Sequence, residues 1–561
     1  MSVPGPGADE TGPALRVADA FRIARDQHPH RAFLMIPDGC PGGPLELSYA
    51  QAATAVDARA RSYREAGLGP GHHIALMLDS RADFYLHWIA LNEVGATLVP
   101  IGADLVEDEV RSILRHGDVD LVLCLPERLA QVRAAAAGLD SQSQAAVAVV
   151  DEPLPRLRPA ADAGRASGAA AIVFTSGSTG RPKGCLLSNE YFLSFGRWYR
   201  DLGGRCALRP GCERFITPLP PHHVNALAFS SMGAILTGGC IVQLDRFRSD
   251  RWWLLVRETH ATVMHYLGVM PGMLLKRPPE PSDREHQLRF GIGGGVRHAD
   301  HEVFETRFAV PLIEAWAMTE TGGTGTLCTN RGPRHVGTGC IGMPSAAFAQ
   351  ARIADESGRP VPPQVVGELV LRAPGADPRR GFFSGYYRDR HASEAAWEGG
   401  WLHTGDLART DEDGTFFFVG RRKQIIRRSG ENISAAEVEA VLSGLARVRQ
   451  AAVVPVPDPV REEEVFACVV AEEGFQASEQ AAIGLLREAA AHLSYFKLPG
   501  YLAFVASMPT TSTQKLRYGM LIEMATSMIQ RADPSLFDLR ALKSGLRTSV
   551  IHRAPPGPEL K

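Results

Sequence analysis

At 561 residues the chain is too long for a single ordinary core and is expected to fold as two or three domains. Its 45% hydrophobic content is that of a globular protein, which excludes a disordered or membrane-embedded chain. A net charge of −2 excludes a long-range pull toward nucleic acid or anionic lipid. The nine cysteines form no CxxC pair, so they read as reduced thiols in a cytoplasmic protein, not as a disulfide framework or a zinc site.

The first nine residues are rich in Gly and Pro and carry neither a basic start nor an apolar stretch, so no secretory signal is expected. No apolar run approaches the roughly 20 residues that span a bilayer. From there, apolar runs alternate with amphipathic stretches, which predicts a layered α/β architecture. Strands are expected at 73–78, 97–101, 121–125 and 170–175, with helices at 82–94 and 106–116 between them. Segments 152–168 and 277–285, rich in Pro and Gly, read as loops. Near residue 367 the character changes to short β-type alternation (368–372), followed by the turn Asp411-Glu412-Asp413-Gly414 feeding a strand at 415–419. The charged segment Arg421-Arg422-Lys423 marks a boundary. The expected division is a large N-terminal α/β domain of several subdomains (1–422), a small mobile α+β domain (423–530) and a loosely packed tail (531–561).

The strand at 170–175 runs into Thr175-Ser176-Gly177-Ser178-Thr179-Gly180-Arg181-Pro182-Lys183-Gly184. Hydroxyls and unobstructed backbone N–H groups suit an anion, glycines let the oxygens approach, and Lys183 adds positive charge. No Gly-Lys-Ser/Thr follows at Walker spacing. Six such residues alone would be an ordinary surface loop; the ten-residue string is far more specific. It resembles the phosphate-binding signature of the adenylate-forming (ANL) superfamily, which includes acyl-CoA synthetases, luciferases and peptide-synthetase adenylation domains.

That resemblance carries roles to matching positions across about residues 15–525. Pro218–Phe229 resembles the segment whose histidine gates the carboxylate pocket, here His223. His222-His223 also resembles the HHxxxD motif of another acyltransferase class, but Leu227 stands where its Asp would be. Gly291–Val296 lacks the third glycine of a dinucleotide fingerprint. In the family the matching loop, Gly293-Gly294-Gly295, lines adenine and the acyl group. The run His298–Glu302 reads as a solvated helix start. Trp316-Ala317-Met318-Thr319-Glu320 matches the aromatic-Gly-x-Thr-Glu motif, implying that Trp316 stacks on adenine with Ala317 and Met318 beside it. Thr319 would meet phosphate, and Glu320 would hold Mg²⁺, a cation that prefers oxygen ligands. Asp406 matches the acceptor of the ribose hydroxyls. Arg421 matches a ribose- or phosphate-contacting arginine, with Phe418 beside it, and Lys423 falls at the family's hinge. Ser429-Gly430-Glu431 resembles the pantetheine-contacting loop, and Lys515 the lysine that bridges carboxylate and α-phosphate.

The implied activity is an acyl-CoA ligase that converts a carboxylic acid to its CoA thioester through acyl-AMP, using ATP, Mg²⁺ and coenzyme A. Implied catalytic residues are Lys515, His223, Glu320 and Thr175. The acyl pocket is expected at His223, Ala226, Phe229, Tyr266, Gly268, Gly293 and Met318, which favours an apolar acid and whose small residues would admit a bulky one. The surroundings of His223-Val224-Asn225 resemble the crotonobetaine/carnitine-CoA ligase-like branch. Gln514 stands where relatives often carry Gly, and at φ > 0 it would cost roughly 1–2 kcal/mol, so adenylation can be weakened. Trp316-Ala317 for Tyr-Gly and Gln424 after the hinge also depart from the pattern. The alternatives are a thioesterification-only enzyme, an amino-acid or aryl adenylation domain loading a carrier protein, a luciferase-type oxygenase, and a silent nucleotide-binding relative. Val224–Leu236 holds no carboxylate to pair an amino acid's ammonium. No nucleic-acid or integral membrane partner is expected, and homodimerisation stays open.

Overall fold

The computed structural model describes residues 15–102, 105–139, 145–160, 168–175, 182–421, 425–428, 431–459, 461–493, 495–510 and 516–543. Two compact units account for the chain. The first comprises Met1–Pro363, Leu369–Thr404 and Thr410–Phe417; the second comprises Gln364–Glu368, Gly405–Arg409 and Phe418–Lys561.

The first unit carries a seven-stranded sheet in the order Gly385–Tyr386, Lys183–Ser188, Ala169–Thr175, Thr97–Pro100, His73–Met77, Leu121–Cys124 and Ala146–Val149. The last five run parallel to one another, and the first two are antiparallel additions at one edge. The strands His73–Met77, Thr97–Pro100 and Leu121–Cys124 are buried at every position, as parallel strands covered on both faces must be. Helix Ala82–Val94 is likewise buried on nearly all sides, which explains its lack of a polar face. A second, larger sheet is built on the parallel strands Ala32–Ile36, Cys240–Gln243, Arg214–Thr217, Val263–Leu267, Phe290–Gly294 and Leu312–Trp316. Antiparallel strands Leu327–Cys328 and Cys340–Pro344 extend it beyond Trp316. The glycine-rich segment and the Trp316 motif therefore leave the carboxyl ends of neighbouring parallel strands, where open α/β sheets bind ligands.

In the second unit, Val448–Asp458 and Glu462–Ala471 form a long antiparallel pair that alternates from Ala451 onward, past a register shift between Val448 and Gln450. Val453, Val465, Ala467 and Val469 face helices Ala435–Ser443 and Glu479–Ala489; Val454, Phe466, Cys468 and Val470 face helix Tyr518–Arg531. Packing extends past residue 530, where the sequence suggests a loose tail. Leu536–Asp538 pairs with Tyr501–Phe504, Leu539 joins the core, and Lys543 is completely buried. The Lys543 ammonium lies 2.6 Å from Glu464, which also pairs with Arg428 at 2.8 Å and accepts from the Val465 amide at 2.9 Å. The α/β fold with a smaller second unit agrees with the sequence expectation.

Candidate active site

Antiparallel pairing of Ala169–Thr175 with Lys183–Ser188 sets Thr175 opposite Lys183, so both shoulders of the Gly/Ser/Thr loop are fixed by the hairpin. Ser176, Gly177, Ser178, Thr179, Gly180 and Arg181 lie outside the described residues. The Lys183 amine sits 4.7 Å from the centroid of the Tyr386 ring. The Tyr386 hydroxyl donates to Glu320 Oε1 at 2.9 Å. Tyr386 reaches this place because Gly385–Tyr386 is the edge strand paired with Cys185–Leu186. Burial pushes the Cys185 thiol well up, and the Glu320 carboxylate beside it acts in the same direction. Ser188 caps the following helix, Asn189–Asp201, by accepting from the Tyr191 amide. That places Tyr191 so that its hydroxyl donates to the Thr319 carbonyl at 2.8 Å. Thr175, Lys183, Thr319 and Glu320 are thus brought together, and Tyr386 and Tyr191 hold them. Neither tyrosine carries a spacing signal in the sequence; each is found only through strand pairing or helix position.

Glu320 is buried and offers one carboxylate to a cation. Magnesium commonly takes one or two protein carboxylates and completes its shell with water and substrate phosphates, so this donor set fits a nucleotide-borne Mg²⁺. No cluster of three or more His, Cys, Asp or Glu that could hold a metal by itself occurs among the described residues.

The glycine-rich loop is shaped by close backbone approach. A Cβ at Gly268 would overlap the carbonyl of Gly295, and one at Gly293 would overlap that of Tyr266. Gly295 has φ +84°, the left-handed region that glycine tolerates. Trp316 ends its strand 8% exposed, Ala317 is exposed, and Met318 is half-buried.

Of the expected acyl-pocket set, Gly268, Gly293 and Met318 lie at these loops, whereas Ala226, Phe229 and Tyr266 point into packed interior. Phe229 stacks on Tyr199 at 4.5 Å and on His265 at 4.6 Å. Burial pushes His265 down to about 3, so it is a neutral ring bonded to Ser230 Oγ at 2.5 Å and to the Tyr199 hydroxyl at 3.2 Å. Asn225–Ser230 forms a π-helical turn, a feature often found at functional sites. The His222 and His223 rings sit 4.3 Å apart just ahead of it. The expected solvated helix start at His298 is a helix, but Asp300 and His301 on it are buried. The surface reading fails there because His301 reaches back to the Leu312 carbonyl.

In the second unit, Arg421 Nε lies 3.1 Å from Asp406 Oδ1, joining two residues 15 positions apart that the sequence assigns to ribose. Asp406 is buried, Arg421 exposed and Phe418 half-buried on the same strand as Arg421. Glu431 opens the strand paired with Ile425–Arg428, while Ser429, Gly430 and the expected hinge Lys423 lie outside the described residues. So do Gln514 and Lys515; their loop is closed at its base by Thr510 bridging Leu516 and by the Arg517 amide bonding the Pro509 carbonyl at 2.9 Å. Next to it, the Tyr518 hydroxyl lies 2.9 Å from both oxygens of Glu439.

A strand hairpin carrying a Gly/Ser/Thr string beside a Thr-Glu turn, in an α/β unit joined to a small α+β unit, is the construction of adenylate-forming enzymes. The family model for AMP-binding enzymes matches residues 21–387, and that for the AMP-binding enzyme C-terminal domain matches 437–515. The chain belongs to this family, as an acid–thiol ligase. It is similar to the crotonobetaine/carnitine–CoA ligase of Salmonella paratyphi A, 30% identical over 502 residues, covering 86% of this chain and 94% of that one. The enzyme of the same name from Citrobacter koseri is 29% identical with the same coverage. Among solved structures, ATP-bound MatB from Rhodopseudomonas palustris superposes with TM-score 0.77 at 24% identity, over 92% of this chain and all of that one. The o-succinylbenzoate CoA synthetase of Bacillus subtilis, in complex with its acyl-adenylate, gives 0.75 at 21%, over 91% and 98%. No helix among the described residues is long and apolar enough to cross a membrane.

Proposed function

We propose that the chain joins a carboxylic acid to coenzyme A through an acyl-AMP intermediate. In the first step the acid's oxygen bonds the α-phosphorus of ATP as the bond to the bridging oxygen breaks and pyrophosphate leaves. In the second, the CoA sulfur bonds the acyl carbon, the carbon–oxygen bond to AMP breaks, and the thiol proton passes to solvent. The observation that carries the reading is the convergence of Lys183, Tyr386 and Glu320 at the mouth of the Thr175 loop. The first step brings a carboxylate toward a polyphosphate, and like charge must be offset. Lys183 supplies fixed positive charge there, and Lys515 is the family-matched second cation. Mg²⁺, when held by Glu320, neutralises charge on the phosphates. A preorganised group of this kind is typically worth about 10²–10³ in rate. The second step needs placement more than charge.

The small residues Gly268 and Gly293 and the uncharged Met318 support an apolar acid. Crotonobetaine, carnitine and o-succinylbenzoate are included in the first panel because similar enzymes are named for them. The test supplies each acid with ATP and Mg²⁺, follows pyrophosphate, then supplies pre-made acyl-AMP with CoA. Acid-dependent pyrophosphate followed by thioester supports the proposal; failure of both steps with every acid and adenylate overturns it. Gln514 beside Lys515 favours one second reading, an enzyme that performs only the thioester step. Rapid pyrophosphate release by the unmodified protein eliminates that reading, whereas selective gain of the first step in Gln514→Gly supports it.

A further inference from the structure

The strand Phe290–Gly294 loses its ladder partner where the glycine loop begins, and the amides that follow must find acceptors elsewhere. They find them in one side chain. Glu314, on the adjacent strand Leu312–Trp316, accepts from the Gly295 amide at 3.0 Å through Oε2 and from the Val296 amide at 3.3 Å through Oε1. Two successive N–H groups converging on an anion form a nest, the arrangement that in other loops receives phosphate. Here the anion is the protein's own. Oε1 is also 3.0 Å from the hydroxyl of Tyr266, which is wholly buried and shares its proton with the Ile313 carbonyl at 3.2 Å. Glu314 is itself 9% exposed. Burial pushes its carboxyl up; the Gly295 amide opposes this most, followed by the charge of His301, the Tyr266 hydroxyl and the Val296 amide.

The two amides fix the peptide planes of a segment that otherwise lacks side chains to anchor it. Gly295, at φ +84°, is free to turn in several ways, and Glu314 selects one. Because the nest is filled from within, a phosphate there would have to displace a buried carboxylate, and the two charges would repel. Tyr266, expected from sequence in the acyl pocket, instead serves as the third donor to this carboxylate.

We infer that Glu314 is a positioning residue, an internal anion that occupies the Gly295–Val296 nest and presents the glycine loop to the uncharged nucleoside part of the nucleotide, leaving phosphate to the Thr175 hairpin. The inference rests on the adenylate-forming reading above. Glu314→Gln keeps the size but replaces one acceptor by an N–H₂ that confronts an amide donor.

The experiment measures binding of adenosine, AMP and inorganic pyrophosphate by calorimetry, together with KM for ATP and for CoA. Losing charge-assisted acceptors predicts adenosine and AMP affinities lowered by a common factor on the order of tenfold. KM for ATP should rise with them, while KM for CoA and pyrophosphate inhibition stay within about threefold. Tyr266→Phe, which removes one donor and leaves the carboxylate, should give the same split at smaller size. It serves as the test if Glu314→Gln does not fold. Unchanged adenosine affinity in a folded variant, or equal rises in both KM values, overturns the inference. Wild-type protein that binds neither adenosine nor AMP overturns the nucleotide reading itself, which separates the two failures.

Discussion

Tyr386 does two jobs with one side chain: its ring face meets the Lys183 amine and its hydroxyl holds Glu320. Substitution separates them. Tyr386→Phe keeps the ring, whose attraction for a cation is about 0.5–2 kcal/mol, and loses only the hydroxyl bond. Tyr386→Leu loses both and is expected to raise KM for MgATP several-fold more than Phe does; equal values for the two variants would show that the ring face contributes nothing. Glu439 is a second residue whose setting is unusual. It is half-buried with the Val453 amide and the Tyr518 hydroxyl as partners, and desolvation pushes its carboxyl up to about 7. Facing it are the Cys468 thiol and Tyr518, which in turn feels Arg421. A carboxyl raised on folding contributes stability that is fully present below its unfolded value near 4.5 and is lost as pH rises through about 7. The displacement corresponds to roughly 3 kcal/mol. Urea unfolding at pH 5.5 and 8 should therefore show the wild type losing stability relative to Glu439→Gln; a constant difference between the two proteins would refute it.

Among the elements, those with a strong period were legible from sequence. Helix Ala82–Val94 lies where expected, as do strands His73–Met77 and Leu121–Cys124, within one residue at an end. Their apolar runs are continuous because both faces are covered. The short strands Leu327–Cys328 and Gly385–Tyr386 were not legible, since two residues have no period and exist only because a remote strand pairs with them. The same holds for site residues. Lys183, Glu320, Asp406 and Arg421 stand inside strings long enough to recognise, whereas Glu314 and Tyr386 act through partners 19 and 66 positions away. Phe229 and Tyr266 lie beside recognisable motifs, yet alternation along strand and helix turns them inward. Gly268 illustrates the reverse: its lack of a side chain is required by the Gly295 carbonyl behind it, whatever acyl group passes. Gly268→Ala must push the glycine loop away and should cost about 1–3 kcal/mol of stability, as overpacking usually does. It should also weaken AMP binding; a variant with wild-type melting and affinity would contradict the close approach.

At the scale of the whole molecule, the second unit is closed by charge as well as by its apolar layers. Glu464, fully buried, is shared between Arg428 and Lys543, which come from strands and segments more than a hundred residues apart in sequence. Removing the shared carboxylate leaves two buried cations uncompensated, at a typical cost of about 3–5 kcal/mol. Glu464→Ala should lower the stability of the second unit by that order while the melting of the first is unchanged, as read by hydrogen exchange resolved along the chain. Uniform protection loss in both units would argue against the assignment.

The same lysine has a chemical side. Burial pushes the Lys543 amine down to about 8 only while it is enclosed; once uncovered it returns to the ordinary lysine range and reacts as any exposed amine does. While Glu464 holds it in the interior, an acylating reagent cannot reach it. Labelling at this one amine, followed by mass spectrometry, is thus a clock for opening of the second unit, running only during the moments when the unit comes apart.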